Sequence, residues 1–170
     1  MVEMDFRNAA READWHAWYL DHVTRLIRDV PGFRATQRFR AISATPSPWL
    51  ALHDVAGPAV FESAEYRASG GPAATGEWQH EHKNWHRNLY AGLDVTPEVA
   101  PDGHLVVAEG DAQVPAALAG TMTWLEGVGL DRSKPRRGLA VLAAGTLAAG
   151  HFEHAGVAIY RPITPRIAAP

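Results

Sequence analysis

The stretch "DWHAWYLDHVTRLIRDVPGF", residues 14–33, decides the fold of the first half of the chain. Its apolar residues recur at the spacing of one buried helix face, at Trp15, Trp18, Tyr19, Val23, Leu26, Ile27 and Val30. Pro31 disfavours a helical conformation at Val30, and Gly32 permits a turn. The sequence therefore predicts a helix over residues 10–29 that ends at "VPGF".

Strand patterns flank this helix. "GFRATQRFRAIS", residues 32–43, alternates with a period of two, and "WLALHDVA", residues 49–56, is its simplest hairpin partner. The other expected elements are a strand over residues 2–6, a short helix over 57–70, a flexible connection over 70–78 and an edge strand near 89–95. The order β-α-β-β-α-β is that of the ferredoxin-like unit.

The second half has a similar order with little residue-level identity. After a proline-marked joint, the expected elements are a strand over residues 104–110, a helix over 115–130 and strands over 136–148 and 155–164. We therefore expect an α+β fold in which β-α-β-β units form an α/β barrel, as a degenerate tandem repeat. Residues 1–98 are the ferredoxin-like unit, and 99–170 are a second, shorter half or an extension that completes the barrel. Closure within one chain or between two chains stays open.

Composition excludes several classes of function. The net charge is −3, with 16 basic and 19 acidic residues and no basic run, so we expect no nucleic-acid partner. The absence of cysteine removes thiolate metal sites and cysteine nucleophiles, and it fits a reducing cytoplasm. The start of the chain has no apolar signal core, and the longest apolar stretch, residues 138–150, is too short to span a bilayer. The expected location is the cytoplasm, with no membrane partner.

An aromatic-aromatic-x-x-His pattern at Trp18, Tyr19 and His22 is followed by Pro31 and Gly32 before a strand. Together with "PWLALHDV" and "FESAEYRA", this segment is similar to the dimeric α/β-barrel superfamily, especially its EthD-like members. The resemblance implies a ferredoxin-like barrel, a homodimer and a histidine, here His22, that points toward a cleft. The superfamily hosts monooxygenases, isomerases, cyclases, dehydratases and haem enzymes, so the resemblance does not select one reaction.

Two histidines stand where apolar residues are expected. His22 lies on the buried row of the first helix, and His53 lies in the strand "WLALHDV". Alternation in that strand suggests that Leu50 and Leu52 face the helices, which turns Trp49 and His53 toward the barrel cavity. Each histidine is either a core residue satisfied by a neighbour or a group that serves a site.

The neighbouring strand adds arginines to this prediction. Its Phe33 and Phe39 suit the helix side, which turns Arg38 toward the cavity. An imidazole titrates near neutral pH, so His53 or His22 could take a proton next to a carbonyl while Arg38 or a tyrosine stabilises the oxyanion. The predicted catalytic residues are therefore His53, His22 and Arg38, unless the arginines are solvent-exposed at an open strand face.

The segment "EWQHEHKNWHRNLY", residues 77–90, is a second cluster. His82 and His86 are expected to share a helix face, with the tryptophans packed over the barrel mouth. Asn84 takes the place of the second histidine of an H-E-x-x-H site, so we assign no metal, although the segment leaves metal or haem contact open. The predicted substrate-binding residues are Trp49, Tyr19, Trp78, Trp85, His82 and His86.

The favoured function is a cofactor-independent lyase, isomerase or cyclase that acts on an organic carbonyl-type substrate of aromatic or anionic character. One alternative is a monooxygenase-like enzyme, either cofactor-free or haem-dependent. Another is a non-catalytic binding or assembly module in which the histidines are satisfied in the core. The sequence identifies neither the substrate nor the reaction.

Overall fold

A computed structural model describes residues 1–146 and 154–169. The strands are β1 (Val2–Phe6), β2 (Phe33–Ala41), β3 (Trp49–Val55), β4 (His82–Ala91), β5 (His104–Glu109), β6 (Thr123–Leu130), β7 (Arg136–Leu142), β8 (Val157–Pro162) and β9 (Ile167–Ala168). The helices are α1 (Glu12–Asp29), α2 (Ala64–Ser69) and α3 (Ala116–Ala119), with 3₁₀ turns at Ala9–Arg11, Pro58–Glu62 and Pro72–Glu81. The last two residues of the strand expected over 136–148 lie outside the described residues.

Strands β1 to β8 form a closed antiparallel barrel within one chain. The order around the barrel is β3-β1-β4-β6-β7-β5-β8-β2, and the pairing of β2 with β3 closes the ring. The short β9 pairs with Ala35 and Thr36 of β2, whereas β8 pairs with residues 39–41 of the same strand. The mixed α+β class is confirmed, and the closure that the sequence left open takes place within this chain.

The strands of the two halves follow the same relative order. In the first half it is β2-β3-β1-β4, and in the second half it is β6-β7-β5-β8. The two sets of four strands meet at the antiparallel pairs β4–β6 and β2–β8. Each half therefore supplies half of the barrel wall.

Helix α1 ends where the sequence predicts. Glu12 and Asp14 lie in its first turn, where negative charge stabilises the helix dipole, and Val30 has extended backbone angles. Gly32 follows with φ +94°, and a Cβ there would lie 2.6 Å from a methyl carbon of Val60, so the turn needs glycine. Within residues 1–146 and 154–169, no helix is both long and apolar enough to cross a membrane.

Three local elements differ from the sequence prediction. The helix expected over residues 115–130 stops at Ala119, and Thr123–Leu130 is instead strand β6, because it pairs with both β4 and β7. Strand β4 begins at residue 82, earlier than expected. The connection expected to be flexible contains the 3₁₀ turns of Pro72–Glu81.

The barrel interior is filled by apolar side chains from both halves: Phe39, Leu50, Leu52, Val99, Leu105, Val107, Leu125, Leu139 and Tyr160. The expectation that Leu50 and Leu52 face the helices is wrong. Trp49 and Ala51 lie on the opposite face, where they pack against Trp15 of α1. Both faces of β3 are buried in a barrel with a helix outside it, so alternation separates the faces without showing which one is inside.

Candidate functional site

A cavity of about 70 Å³ lies outside the barrel, between α1, the segment around α2 and the outer face of β1, β3 and β4. We call it the histidine cavity, because His22, His53 and His82 all line it. A single water needs about 10–15 Å³ of such space, whereas pockets for drug-sized ligands have roughly 300–1,000 Å³. The cavity therefore fits several waters or the reacting end of a small molecule.

His22 enters the cavity from α1. Its ring stacks on Trp18, with centroids 5.2 Å apart and planes 8° apart, and it meets the ring of Tyr19 edge-on at 6.3 Å. Its Nδ1 is buried and has no hydrogen-bond partner among the described residues. Burial lowers the pKa of His22 to about 4. The imidazole is therefore neutral at physiological pH, with one buried nitrogen unpaired.

His53 enters the cavity from β3. Its Nδ1 lies 2.9 Å from the hydroxyl oxygen of Thr36, the residue directly opposite on β2. Its ring meets the edge of Phe33 at 5.7 Å. Burial is the main cause that lowers the pKa of His53 to about 3. Thr36 thus fixes the ring through Nδ1, and among the described residues Nε2 makes no hydrogen bond.

His82 enters from the start of β4. Its Nε2 accepts a hydrogen bond of 3.0 Å from the indole Nε1 of Trp15, a residue with no exposed surface. Accepting at Nε2 places the proton of the neutral ring on Nδ1, and this Nδ1–H is buried without a partner in the part of the chain that the structure describes. Burial lowers the pKa of His82 to about 4.

The rim of the cavity carries polar groups that the sequence did not single out. Tyr66 of α2 stacks on Phe33, with centroids 5.9 Å apart, and burial raises the pKa of its hydroxyl, which stays protonated. Arg87 of β4 is anchored to Asp131 at 2.9 Å. Tyr66 and Arg87, together with Trp18 and Trp85, belong to the lining. In the sequence, only the i, i+4 spacing of Trp18 and His22 indicates this set.

The structure brings five of the nine predicted site residues to this cavity: His22, His53, Tyr19, His82 and Trp85. Arg38 and Trp49 lie elsewhere, in a groove beside the first turns of α1. Arg38 donates to the ring Nδ1 of His16 at 2.9 Å, and its guanidinium carbon lies 4.1 Å from the centroid of Tyr19. The single cationic pocket expected from the sequence is thus two separate sites, one lined by imidazoles and one by arginines.

Trp78 and His86 also lie outside the histidine cavity. Trp78 is buried against Phe6, with centroids 6.0 Å apart. His82 and His86 do not share a helix face, because both are in β4, where the pairing with β1 shifts register and Asn84 has φ +46°. The shift places His82 opposite Phe6 and His86 opposite Glu3, on the other face of the sheet.

Metal ligation has no support among the described residues, where no group of three or more His, Asp or Glu side chains is arranged to hold an ion. Comparisons of the chain with protein-family models, with curated proteins and with solved structures found no match.

Proposed function

We propose that this chain is a small-molecule enzyme and that His53 and His22 exchange a proton with an organic carbonyl-type substrate in the histidine cavity. One observation carries the proposal. Three neutral imidazoles line one small apolar cavity, and two of them, His22 and His82, keep a buried Nδ1 without a partner among the described residues. An unsatisfied buried polar atom costs about 1–3 kcal/mol, so such atoms point to a ligand that supplies the missing hydrogen bonds.

His53 is the proposed base. When its Nδ1–H donates to Thr36, the lone pair of Nε2 is free to accept a proton from the carbon next to the carbonyl. The electron pair of the broken C–H bond then forms an enolate. Return of the proton at another carbon gives isomerisation, and loss of a leaving group gives a lyase step.

Burial lowers the pKa of His53 to about 3, which makes its imidazole a weak base in the free protein. During the reaction, however, the imidazolium forms beside a negatively charged enolate. An opposite charge at close range favours the charged imidazole, and the effect is large in a water-excluded site. The same desolvation that weakens the free base therefore strengthens the ion pair that the reaction creates.

The proposed oxyanion donors are Tyr66 and Arg87. Both line the cavity, and the protonated hydroxyl of Tyr66 can donate to the substrate oxygen. They take the role that the sequence gave to Arg38 or a tyrosine, because Arg38 lies in the separate groove. His22 is placed to bind or to reprotonate the substrate from the α1 side.

The finer fold assignment belongs to the same proposal. We interpret the matching strand orders of the two halves as a degenerate tandem pair of ferredoxin-like units, related to EthD-like dimeric α/β barrels. The second unit has only the four-residue α3 in the place of α1. A homodimer of this chain remains an expectation from that resemblance.

A panel of small aromatic and polyketide-like carbonyl compounds tests the function, with turnover and thermal stabilisation as readouts. For a compound that turns over, His53→Ala is expected to lower kcat at least about 100-fold, the usual range for removal of a general base. His86→Ala is the matched control, since it removes an imidazole outside the cavity. A loss of turnover in His53→Ala no larger than in the control would overturn the assignment of the base.

The low pKa values of all three imidazoles favour a second candidate, a module that binds an uncharged polar molecule without turning it over. In that case a compound from the panel stabilises the protein, and His22→Ala and His53→Ala weaken its binding, but no product forms. Monooxygenase chemistry with haem would instead give a Soret band in the purified protein.

A further inference from the structure

A second concave surface of about 490 Å³ lies beside the first turns of α1. We call it the arginine groove and define it by Arg38, Arg40, Arg161, His16 and Trp49, all of which line it. It uses the α1 face that carries His16, whereas the histidine cavity uses the face that carries His22. No described residue lines both sites, although Tyr19 of the histidine cavity packs against Arg38 of the groove.

The positive charge in this groove is not neutralised. Arg40 on β2 and Arg161 on β8 stand directly opposite each other in the antiparallel pair, and both are exposed. Like charges in that position are destabilising. Within residues 1–146 and 154–169, no carboxylate forms an ion pair with Arg38, Arg40 or Arg161. An anion bound between them would remove the repulsion.

Arg38 forms the floor of the groove. It is only 4% exposed, and among the described residues its guanidinium hydrogen-bonds only to His16, to the carbonyl oxygen at 3.3 Å and to Nδ1 at 2.9 Å. A buried guanidinium is normally paired with a carboxylate, because burying an unpaired charge is costly. Two of its five N–H groups are thus accounted for, and the other three have no protein partner among the described residues.

Two neutral donors complete the groove. His16 accepts from Arg38 at Nδ1, so its Nε2 carries the ring proton and can donate. Thr164 accepts a hydrogen bond of 3.1 Å from the backbone N–H of Arg38, which leaves its hydroxyl proton free to donate. The one carboxylate in the lining, that of Glu12, lies 3.9 Å from His16 Nε2 at the edge of the groove.

We propose that the arginine groove binds a small molecule that carries a multivalent oxyanion, either a phosphoryl group or a polycarboxylate. Three guanidinium groups against one carboxylate favour a ligand with two or more negative charges, and planar guanidinium groups match the oxygens of both anion types. The volume lies in the range of small-molecule sites. The site is independent of the proton transfer proposed for the histidine cavity.

Calorimetric titration with pyrophosphate, at a fixed ionic strength of about 0.15 M to hold screening constant, tests this proposal. Wild-type protein is expected to bind with saturation. The variant Arg40→Ala/Arg161→Ala is expected to bind at least about tenfold more weakly, because both removed groups face the groove. Both residues are exposed, so the variant is expected to fold, and its thermal unfolding curve checks this.

The matched control is Arg7→Ala/Arg67→Ala, which removes two exposed arginines elsewhere and changes the net charge equally. Its affinity should stay within about twofold of wild type, since screened long-range charge contributes little at this ionic strength. Citrate as a second titrant distinguishes polycarboxylate from phosphoryl binding, and saturable binding of either anion supports the proposal. Equal losses in the two double variants, or binding only to anionic vesicles or nucleic acid, overturn it.

Discussion

The barrel interior and the histidine cavity both bury polar groups, but they differ in how far these groups are hydrogen-bonded. In the interior, the Arg137 guanidinium donates to both carboxylate oxygens of Glu3, at 2.6 and 2.9 Å, and both side chains are 5% exposed. Gln37 likewise donates to and accepts from the backbone of Val99, at 2.8 and 2.9 Å. In the cavity, by contrast, two imidazole nitrogens have no partner among the described residues.

We interpret this difference as one between polar groups that stabilise the fold and polar groups that, in the proposed function, bind a ligand. The charges of Arg137 and Glu3 are paired with each other through two short hydrogen bonds, although the Nε of Arg137 has no partner in the described part of the chain. Buried imidazoles can be neutral, so the protein tolerates them unpaired at a smaller cost than a charge. We therefore expect interior polar substitutions to change stability and cavity substitutions to change ligand chemistry.

The largest expected effect is in the interior. Arg137→Leu leaves the Glu3 carboxylate buried without its cation, and loss of one partner of a buried pair costs about 3–5 kcal/mol. Denaturant unfolding measures this change in the free energy of unfolding. Arg136→Leu is the control, because the adjacent Arg136 pairs with Glu126 at 3.2 Å on the surface and should contribute at most about 1 kcal/mol.

A double variant sharpens this result. Glu3→Leu/Arg137→Leu removes both charges, so it is expected to be more stable than Arg137→Leu alone. If the free energy of unfolding of Arg137→Leu lies within about 1 kcal/mol of the wild-type value, the buried ion pair does not stabilise the fold as we infer.

The next largest effect on stability is expected at the contact between α1 and the outer face of the barrel. Trp15→Phe removes the donor to His82 Nε2 and replaces a fully buried indole by a smaller ring. The lost hydrogen bond and the lost packing should together lower the free energy of unfolding by roughly 2 kcal/mol. Urea unfolding measures the loss. The comparison variant is Trp18→Phe, which keeps a ring against His22 at a half-buried position. It should lower the free energy of unfolding by less than Trp15→Phe does.

The sequence predicts α1 and β2 well because the signals that define them are local. Pro31 and Gly32 fix the end of α1, and the period of two fixes β2. It fails at β6, where Gly127 and Gly129 hide the alternation and the strand exists because β4 and β7 pair with it on both sides. Long-range pairing of this kind leaves no mark in a local pattern.

The site was only partly predictable for a related reason. His22 and His53 are conspicuous in apolar patterns, and the structure does bring them to one cavity. Arg38 does share the outer face of the sheet with His53, but α1 packs on that face and leaves Arg38 beside its first turns and His53 beside its later turns, which strand alternation does not reveal. The bulge that separates His82 from His86 depends on pairing with β1, which residue spacing does not reveal.

The pH dependence of stability distinguishes neutral imidazoles from ion pairs. An imidazole in the unfolded chain has a pKa near 6.5, whereas burial lowers that of His22 to about 4. Between these pH values the unfolded chain binds a proton that the folded chain does not. Stability is therefore complete above about pH 6.5 and falls as the pH drops toward 4, by up to about 1.4 kcal/mol per pH unit for each such group.

His22→Phe removes one of these groups, so the free energy of unfolding should fall less steeply between pH 6.5 and 4 than in wild type. Urea unfolding at several pH values in that window measures both slopes. His154→Phe makes the same substitution at an exposed position and serves as the control for the added phenyl group. Parallel slopes for His22→Phe and wild type would show that His22 is already protonated or solvated in the folded state.

The smallest stability effect, and the sharpest test of the comparison, is Thr36→Val. The variant keeps the shape of a residue that is 1% exposed but removes the hydroxyl next to His53 Nδ1, so the free energy of unfolding should fall by only about 1 kcal/mol. The ring of His53 loses the partner that sets its tautomer, which ¹⁵N NMR of the imidazole reports without any substrate. Thr36→Ser restores the hydroxyl and should restore the wild-type spectrum. An unchanged tautomer in Thr36→Val would mean that packing alone orients His53. In that case the ring is held by the fold, as the polar groups of the interior are, and the contrast between the two regions is weaker than the unpaired nitrogens indicate.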